Sequence, residues 1–275
     1  TGQQVRAFLG HAGVVWSAAI SPDGEYALTS GFDGTIRLWQ IKTGQEIRRF
    51  DSGGDYGVPL ALAFAPDGQY IMAGYGESPI VVWAFDTGRI ISLNGTHTDS
   101  IASVAVSANG KYALSSSRDG LAILWNFPEL HEVRRFVGHH EVIQSAVLSP
   151  DDQYVLTGSM DKTARLWNAQ TGQEIRRFVG HTSGIYGVAY SPNGKLVATG
   201  NGDGTARIWD AQTGQELRRF DTRAFIQVVK FSPDGKYLFS GDSTGGARLW
   251  SVDYHDTMQS LCSRLLRDFS GAERA

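Results

Sequence analysis

Four times along the chain a histidine, a hydroxyl residue and an aspartate recur in one order: His11, Thr29, Asp33; His97, Ser115, Asp119; His139, Thr157, Asp161; and His181, Thr199, Asp203. A carboxylate that orients a histidine beside a hydroxyl is the arrangement that activates a nucleophile for acyl transfer. Each set, however, ends on a tryptophan, at Trp39, Trp125, Trp167 and Trp209, always 28 positions after its histidine. An active site needs its set once. A set repeated four times at a fixed period beside an indole reads as architecture.

Other chemistry is missing from the sequence. There is no phosphate-binding G-x-x-x-x-G-K-[ST] loop and no H-E-x-x-H pair; the Gly-Lys pairs at 194 and 235 sit in turns. His139 and His140 are adjacent, and neighbouring strand residues point apart, so no metal ligand set is expected. Cys262 is the single cysteine, which excludes an internal disulfide and gives a nucleophile without an assigned base. No catalytic residue, metal or cofactor is expected, and the reading is that the chain is not an enzyme.

The net charge of −3 over 275 residues gives no electrostatic case for nucleic acid or an anionic membrane. No apolar run approaches the ~20 residues that cross a bilayer. A hydrophobic fraction of 41% is that of a globular protein with a core, and the expected location is the cytoplasm.

The elements that position these residues are themselves repeated. Two degraded copies complete the series, with Asp55 and Thr222 at the histidine position, and the closing tryptophans fall at 39, 83, 125, 167, 209 and 250. Within a copy, Val14 to Ile20, Tyr26 to Ser30 and Thr35 to Trp39 alternate with the period of strands. Ser21-Pro22-Asp23-Gly24, Phe32-Asp33-Gly34-Thr35 and Thr43-Gly44 supply the turns, and Gln45 to Phe50 a fourth strand. Copy two is the weakest: Pro59 enters its first strand, and proline confines a strand to an edge or an irregularity.

Repeats of about 40 to 45 residues with Gly-His and Trp signatures mark propeller blades. From residue 1 to 252 the chain resembles the WD-repeat family, and the uniform TGQE-RRF-GH phrases with the CSRLLRDF tail resemble its bacterial members. The fold expected is all-β: a six-bladed WD-repeat β-propeller of four-stranded antiparallel blades over 1–252. Residues 253–275 follow as a tail with a short amphipathic helix, on the spacing of Met258, Leu261, Leu265 and Phe269. Residues 3–8, a further copy of the outer-strand phrase, are expected to complete the sixth blade.

The resemblance implies that in each intact copy the carboxylate holds the histidine, the histidine meets the hydroxyl, and the hydroxyl meets the indole N–H. Blades two and six, with Asp55, Ala73, Glu77 and with Thr222, Ser240, Thr244, are expected to lack that network. The Arg-Arg pairs of the outer strands, each preceded by a glutamate, read as mixed charge that discourages edge pairing.

Positions that differ between copies are free to serve a partner. Five residues after the histidine position stand Trp16, Leu60, Ala102, Gln144, Tyr186 and Gln227; just before the turn aspartate position stand Phe32, Gly76, Arg118, Met160, Gly202 and Ser243. The resemblance places them around the narrow face at the mouth of the central channel. Trp16, Phe32, Arg118, Gln144, Met160, Tyr186 and Phe225 form the candidate contact set, since aromatic residues and Arg are enriched where partners bind. The plainer reading is that Trp16 and Phe225 pack into neighbouring blades.

The expected function is a monomeric, non-catalytic interaction module for a protein or peptide, or for another domain of a longer chain. Alternatives are the regulatory propeller of a signalling protein bearing a kinase or nucleotide-switch ATPase, a hydrolase or lyase at the channel mouth, and a self-assembly module.

Overall fold

The computed structural model describes residues 4–51 and 56–253. Every element in them is a strand, because period-two alternation runs between turns with glycine at positive φ, as at Gly24 and Gly34. Blade one is β1 (Val15–Ile20), β2 (Tyr26–Gly31), β3 (Ile36–Gln40) and β4 (Glu46–Phe50). Blade two is β5 (Pro59–Phe64), β6 (Tyr70–Tyr75), β7 (Ile80–Ala84) and β8 (Ile90–Asn94); blade three is β9 (Ile101–Val106), β10 (Tyr112–Ser117), β11 (Ala122–Asn126) and β12 (Glu132–Phe136). Blade four is β13 (Ile143–Leu148), β14 (Tyr154–Ser159), β15 (Ala164–Asn168) and β16 (Glu174–Phe178); blade five is β17 (Ile185–Tyr190), β18 (Leu196–Asn201), β19 (Thr205–Asp210) and β20 (Glu216–Asp221). Blade six is β21 (Ile226–Phe231), β22 (Tyr237–Asp242) and β23 (Ala247–Ser251).

Each blade is an antiparallel meander in sequence order, four strands in blades one to five and three in blade six. The first strands are neighbours in chain order, β1 to β5, β9, β13, β17 and β21. The apolar core lies between the blades. Leu28, Leu38 and Phe50 of blade one pack with Leu62, Ile71 and Trp83 of blade two, and Leu156, Leu166 and Phe178 of blade four with Ile185, Val197 and Trp209 of blade five. A blade buries nothing alone and is stable through its neighbours, as expected of stacked repeats.

Pro59 stands first in β5, on a strand with no ladder partner on its outer side, so its missing N–H costs no sheet hydrogen bond. Residues 4–8 are not paired into the sixth sheet. They lie against blade one, where Arg6 Nη2 donates to the Lys42 carbonyl at 2.5 Å and the Phe8 ring meets Trp39. Residue 3 and the proposed helix of the tail lie outside the described residues.

Candidate interaction rim

The repeated polar set is joined by hydrogen bonds in each of the four blades that carry it. In blade four the Trp167 indole donates to Thr157 Oγ1 at 2.9 Å, His139 Nε2 meets the same hydroxyl at 2.7 Å, and His139 Nδ1 lies 2.7 Å from Asp161 Oδ2. The same chain links Trp39, Thr29, His11 and Asp33; Trp125, Ser115, His97 and Asp119; and Trp209, Thr199, His181 and Asp203. The polarity is consistent with a neutral imidazole: indole N–H to hydroxyl, hydroxyl to Nε2, and Nδ1–H to carboxylate. Burial pushes His139 and His181 below the ordinary histidine value, against the opposing pull of Asp161 and Asp203. Burial raises the Asp161 carboxyl, but hydrogen bonds from Thr163 and His139 outweigh it and hold the group at about 2.

Glycine before the histidine leaves room for the buried arginine; blade three, with Ile123 in place of that arginine, carries Thr96 there. A Cβ at Gly138 would stand 2.8 Å from Arg165 Nη1 and 3.0 Å from the Trp167 ring.

Blade two departs as expected: Trp83 donates instead to the Asp51 carbonyl at 3.1 Å, while Asp55 lies outside the described residues. Blade six keeps more than expected. Trp250 donates to Ser240 Oγ at 2.9 Å, although Thr222, in the histidine position, turns to the carbonyls of Gly204 and Ala224.

The outer-strand charges need correcting. Glu174 accepts from Arg177 at 3.1 Å and also from Arg165 at 2.8 Å, and Arg165 is buried and reaches Asp161. Arg37 and Arg207 do the same between Asp33 and Glu46, and between Asp203 and Glu216. The first arginine of each pair reaches the next blade: Arg48 donates to the carbonyls of Phe85 and Asp86, and Arg176 to that of Thr213. These charges tie strands and blades together. The buried arginines went unrecognised in the sequence, although an Arg two places before Trp39, Trp167 and Trp209 was there to be read.

Against this constant frame stand the variable positions, and the ladder shows how they are set apart. In every first strand the register slips by one residue, at Val15/Ser17, Pro59/Ala61, Ile143/Ser145, Ile185/Gly187 and Ile226/Val228, and between Ser103 and Ile101 in blade three. The skipped residues are Trp16, Leu60, Gln144, Tyr186, Gln227 and Ala102. A bulge takes one residue out of the pairing and re-aims its side chain, so this position is released from the constraints that keep its neighbours uniform.

The second variable position is fixed beside the first by its backbone. Phe32 N–H donates to the Val14 carbonyl at 2.9 Å, and Gly76, Arg118, Met160, Gly202 and Ser243 make the equivalent bond in their blades. Trp16 and Phe32 meet edge to face with ring centroids 5.5 Å apart. A Cβ at Gly202 would stand 3.1 Å from the Tyr186 ring, and one at Gly184 would meet the Met160 sulfur of the preceding blade at 2.5 Å. Trp16, Phe32 and Phe225 are each more than half exposed. Arg118 is exposed, and Gln144, Met160 and Tyr186 are half-buried.

One feature at the other end of the first strands was not foreseen. Tyr190 and Lys230 line a pocket of about 330 Å³ with Ala105, Val147 and Ala189. Burial lowers the lysine's pKa and raises the tyrosine's. The Tyr190 hydroxyl has no hydrogen-bond partner among the described residues, so no nucleophile–base pair is assembled with it. No described cluster of His, Cys, Asp or Glu could hold a metal ion. No described helix is long and apolar enough to cross a membrane.

Comparison with known proteins places this architecture in a family. The WD domain, G-beta repeat model matches residues 2–40, 89–126, 130–168, 172–210 and 214–251, so the chain belongs to the WD-repeat family. Each matched unit opens on an outer-strand phrase and closes at a tryptophan.

Individual relatives match over about one repeat. The small ribosomal subunit protein RACK1 of Candida albicans is 44% identical over 45 residues, 16% of this chain and 14% of that protein. RACK1 of Saccharomyces cerevisiae is 42% identical over 48 residues, 18% of this chain and 15% of that protein. Eukaryotic translation initiation factor 3 subunit I of Aspergillus niger is 36% identical over 50 residues, again 18% and 15%. The chain therefore aligns with less than a fifth of the length of each of these relatives.

Proposed function

We propose that this chain is a non-catalytic scaffold that binds a protein or peptide across the rim formed by its bulged residues. One observation carries the reading: the six bulge positions carry five different residue types, Trp16, Leu60, Ala102, Tyr186 and the glutamines Gln144 and Gln227, while the backbone hydrogen bonds beside them are repeated from blade to blade. Repetition serves the fold, and the variable set carries specificity. Exposed Trp16, Phe32 and Phe225 offer apolar anchors, and Arg118 offers a fork for a carboxylate, a composition enriched in binding hot spots. The likeness to ribosome- and translation-associated WD-repeat proteins supports a scaffold that works through protein partners rather than by catalysis.

The test is capture from the source cell's lysate by the wild-type chain and by a Trp16→Ala, Arg118→Ala, Tyr186→Ala triple variant whose melt is unchanged. A protein retained by the first and lost by the second supports the rim. Equal capture by both moves the working surface to the perimeter.

A further inference from the structure

One position in the first strands breaks its series. Next to last in these strands stand Ala19, Ala63, Ala105, Val147 and Ala189, and in β21 stands Lys230. Five copies keep a small apolar residue there, and the sixth carries four methylenes and an ammonium. Lys230 is the only Lys, Arg, Asp, Glu or His in any of the six first strands. A residue kept small in five blades answers a need of the fold, so the one departure is free to serve something else.

The lysine lines the pocket of about 330 Å³ at the end of the first strands away from the bulges. Blades three, four, five and six all contribute to its wall, which is mainly apolar: Val106, Val147, Leu148, Ala189, Tyr190 and Phe231. Lys230 is accessible, yet protein crowds it closely enough that burial lowers its pKa, and no carboxylate acts in the opposite sense. Among the described residues its ammonium has no ion-pair or hydrogen-bond partner.

The other polar side chains of the wall are committed. Asp152 accepts from the Ala108 N–H at 3.0 Å with one carboxylate oxygen and from the Asn109 N–H at 3.1 Å with the other. The Ser149 hydroxyl donates to Asp151, and the Tyr190 hydroxyl is enclosed by protein. Lys230 is therefore the one charged or hydroxyl side chain of the pocket that is free to meet a ligand.

An unpaired ammonium among apolar walls is costly unless an anion meets it. The walls decide which anion. A phosphate group carries nearly two charges and suits arginine forks or several N–H donors, whereas this pocket offers a single point charge. A carboxylate carries one charge, and an apolar body attached to it would cover Val147, Leu148 and Phe231. The volume of about 330 Å³ falls at the small end of the roughly 300–1,000 Å³ of small-molecule sites.

We propose that this pocket binds a small apolar monocarboxylate, with the carboxylate on Lys230 and the hydrocarbon part against Val106, Val147, Leu148 and Phe231. The site lies at the opposite end of the first strands from the rim and does not depend on the rim's binding a partner.

Octanoate, octan-1-ol and acetate separate the charge from the chain, and calorimetry with amide chemical shifts follows each in the 275-residue chain. Octanoate is expected to bind saturably and to shift the amides of Ala105, Val147, Ala189 and Lys230. Octan-1-ol, which lacks the charge, and acetate, which lacks the chain, should each bind about tenfold more weakly or worse. Lys230→Ala installs the residue that four other blades carry there, so the melt should be unchanged while octanoate affinity falls about tenfold or more and octan-1-ol is unaffected. Lys230→Met, which keeps the stem, takes its place if the alanine variant melts early.

Equal octanoate affinity with and without the ammonium overturns the proposal. So does an affinity weaker than about 1 mM, or shifts confined to residues outside the pocket. N-acetyl-trileucine supplies the other source of an apolar carboxylate, a peptide C-terminus, and tighter binding of it than of octanoate would overturn the assignment to a small molecule.

Discussion

Phe8 sits 5.7 Å from the Trp39 indole, the place that Phe178 takes over Trp209 at 5.8 Å, although Phe178 is held in a paired strand and Phe8 is not. The contact is the same and its support differs. Phe178→Ala removes a fully buried ring and is expected to cost about 3–5 kcal/mol. Phe8→Ala removes a half-buried ring and should cost nearer the ~0.5–1.5 kcal/mol of an aromatic pair. Urea unfolding of the two variants measures both, and equal losses would mean that residues 4–8 are held as firmly as an inner-blade strand.

Thr157 joins Trp167 to His139, so Thr157→Val strands an indole N–H and an imidazole nitrogen at once. Buried unpaired groups cost about 1–3 kcal/mol each, so a loss of about 2–4 kcal/mol is expected in the urea midpoint. Ser240→Ala in blade six strands only the Trp250 indole, which is partly open to solvent, and about 1 kcal/mol or less is expected.

Arg165 bridges Asp161 and Glu174, and blade three does without it, carrying Ile123 at that position. Arg165→Ile is expected to cost about 2 kcal/mol, below the 3–5 kcal/mol of a fully buried pair because Glu174 is partly open to solvent. Adding Glu174→Val should recover part of that loss, since it removes a carboxylate that has lost one of its two arginines and keeps only Arg177. A double variant weaker than the sum of the two single ones would contradict this coupling.

The histidine networks make the fold sensitive to acid. His139 and His181 bind a proton less readily when folded, so as pH falls the unfolded chain takes up protons first. Their stabilisation is complete above the unfolded value of 6.5 and is lost as pH falls from there through the folded value. Asp161 adds a second loss lower down, between 3.8 and about 2. Urea midpoints from pH 8 to 3 should decline in that order, and a His139→Gln, His181→Gln variant should be less stable at pH 8 and flatter just below pH 6.5.

Much of this was legible because the chain is its own alignment. Repetition at a fixed period gave the strands, the turns and the polar network, since a residue kept in four copies answers a need that every blade shares. Arg37, Arg165 and Arg207 escaped notice because arginine in a strand ordinarily faces solvent; only the packed blades show a carboxylate on either side. The place of residues 4–8 could not be read either. The phrase marks an outer strand but not which blade it lies against, since that depends on contacts distant in the chain.

The bulge gives the division between fold and function its sharpest test, because it sets a constrained and a free residue side by side. Ile143 is fully buried against the neighbouring blade, and Ile143→Ala is expected to cost about 2–5 kcal/mol. Gln144, next in the chain, is skipped by the ladder and half-buried, so Gln144→Ala should change stability by no more than about 0.5 kcal/mol. The same contrast should hold for Ile185 against Tyr186, with partner capture moving in the opposite sense: lost on substitution at the bulge, kept in any Ile143 variant that still folds. If Gln144→Ala proved as costly as Ile143→Ala, the bulge residue would belong to the core, and its variation between blades would reflect packing.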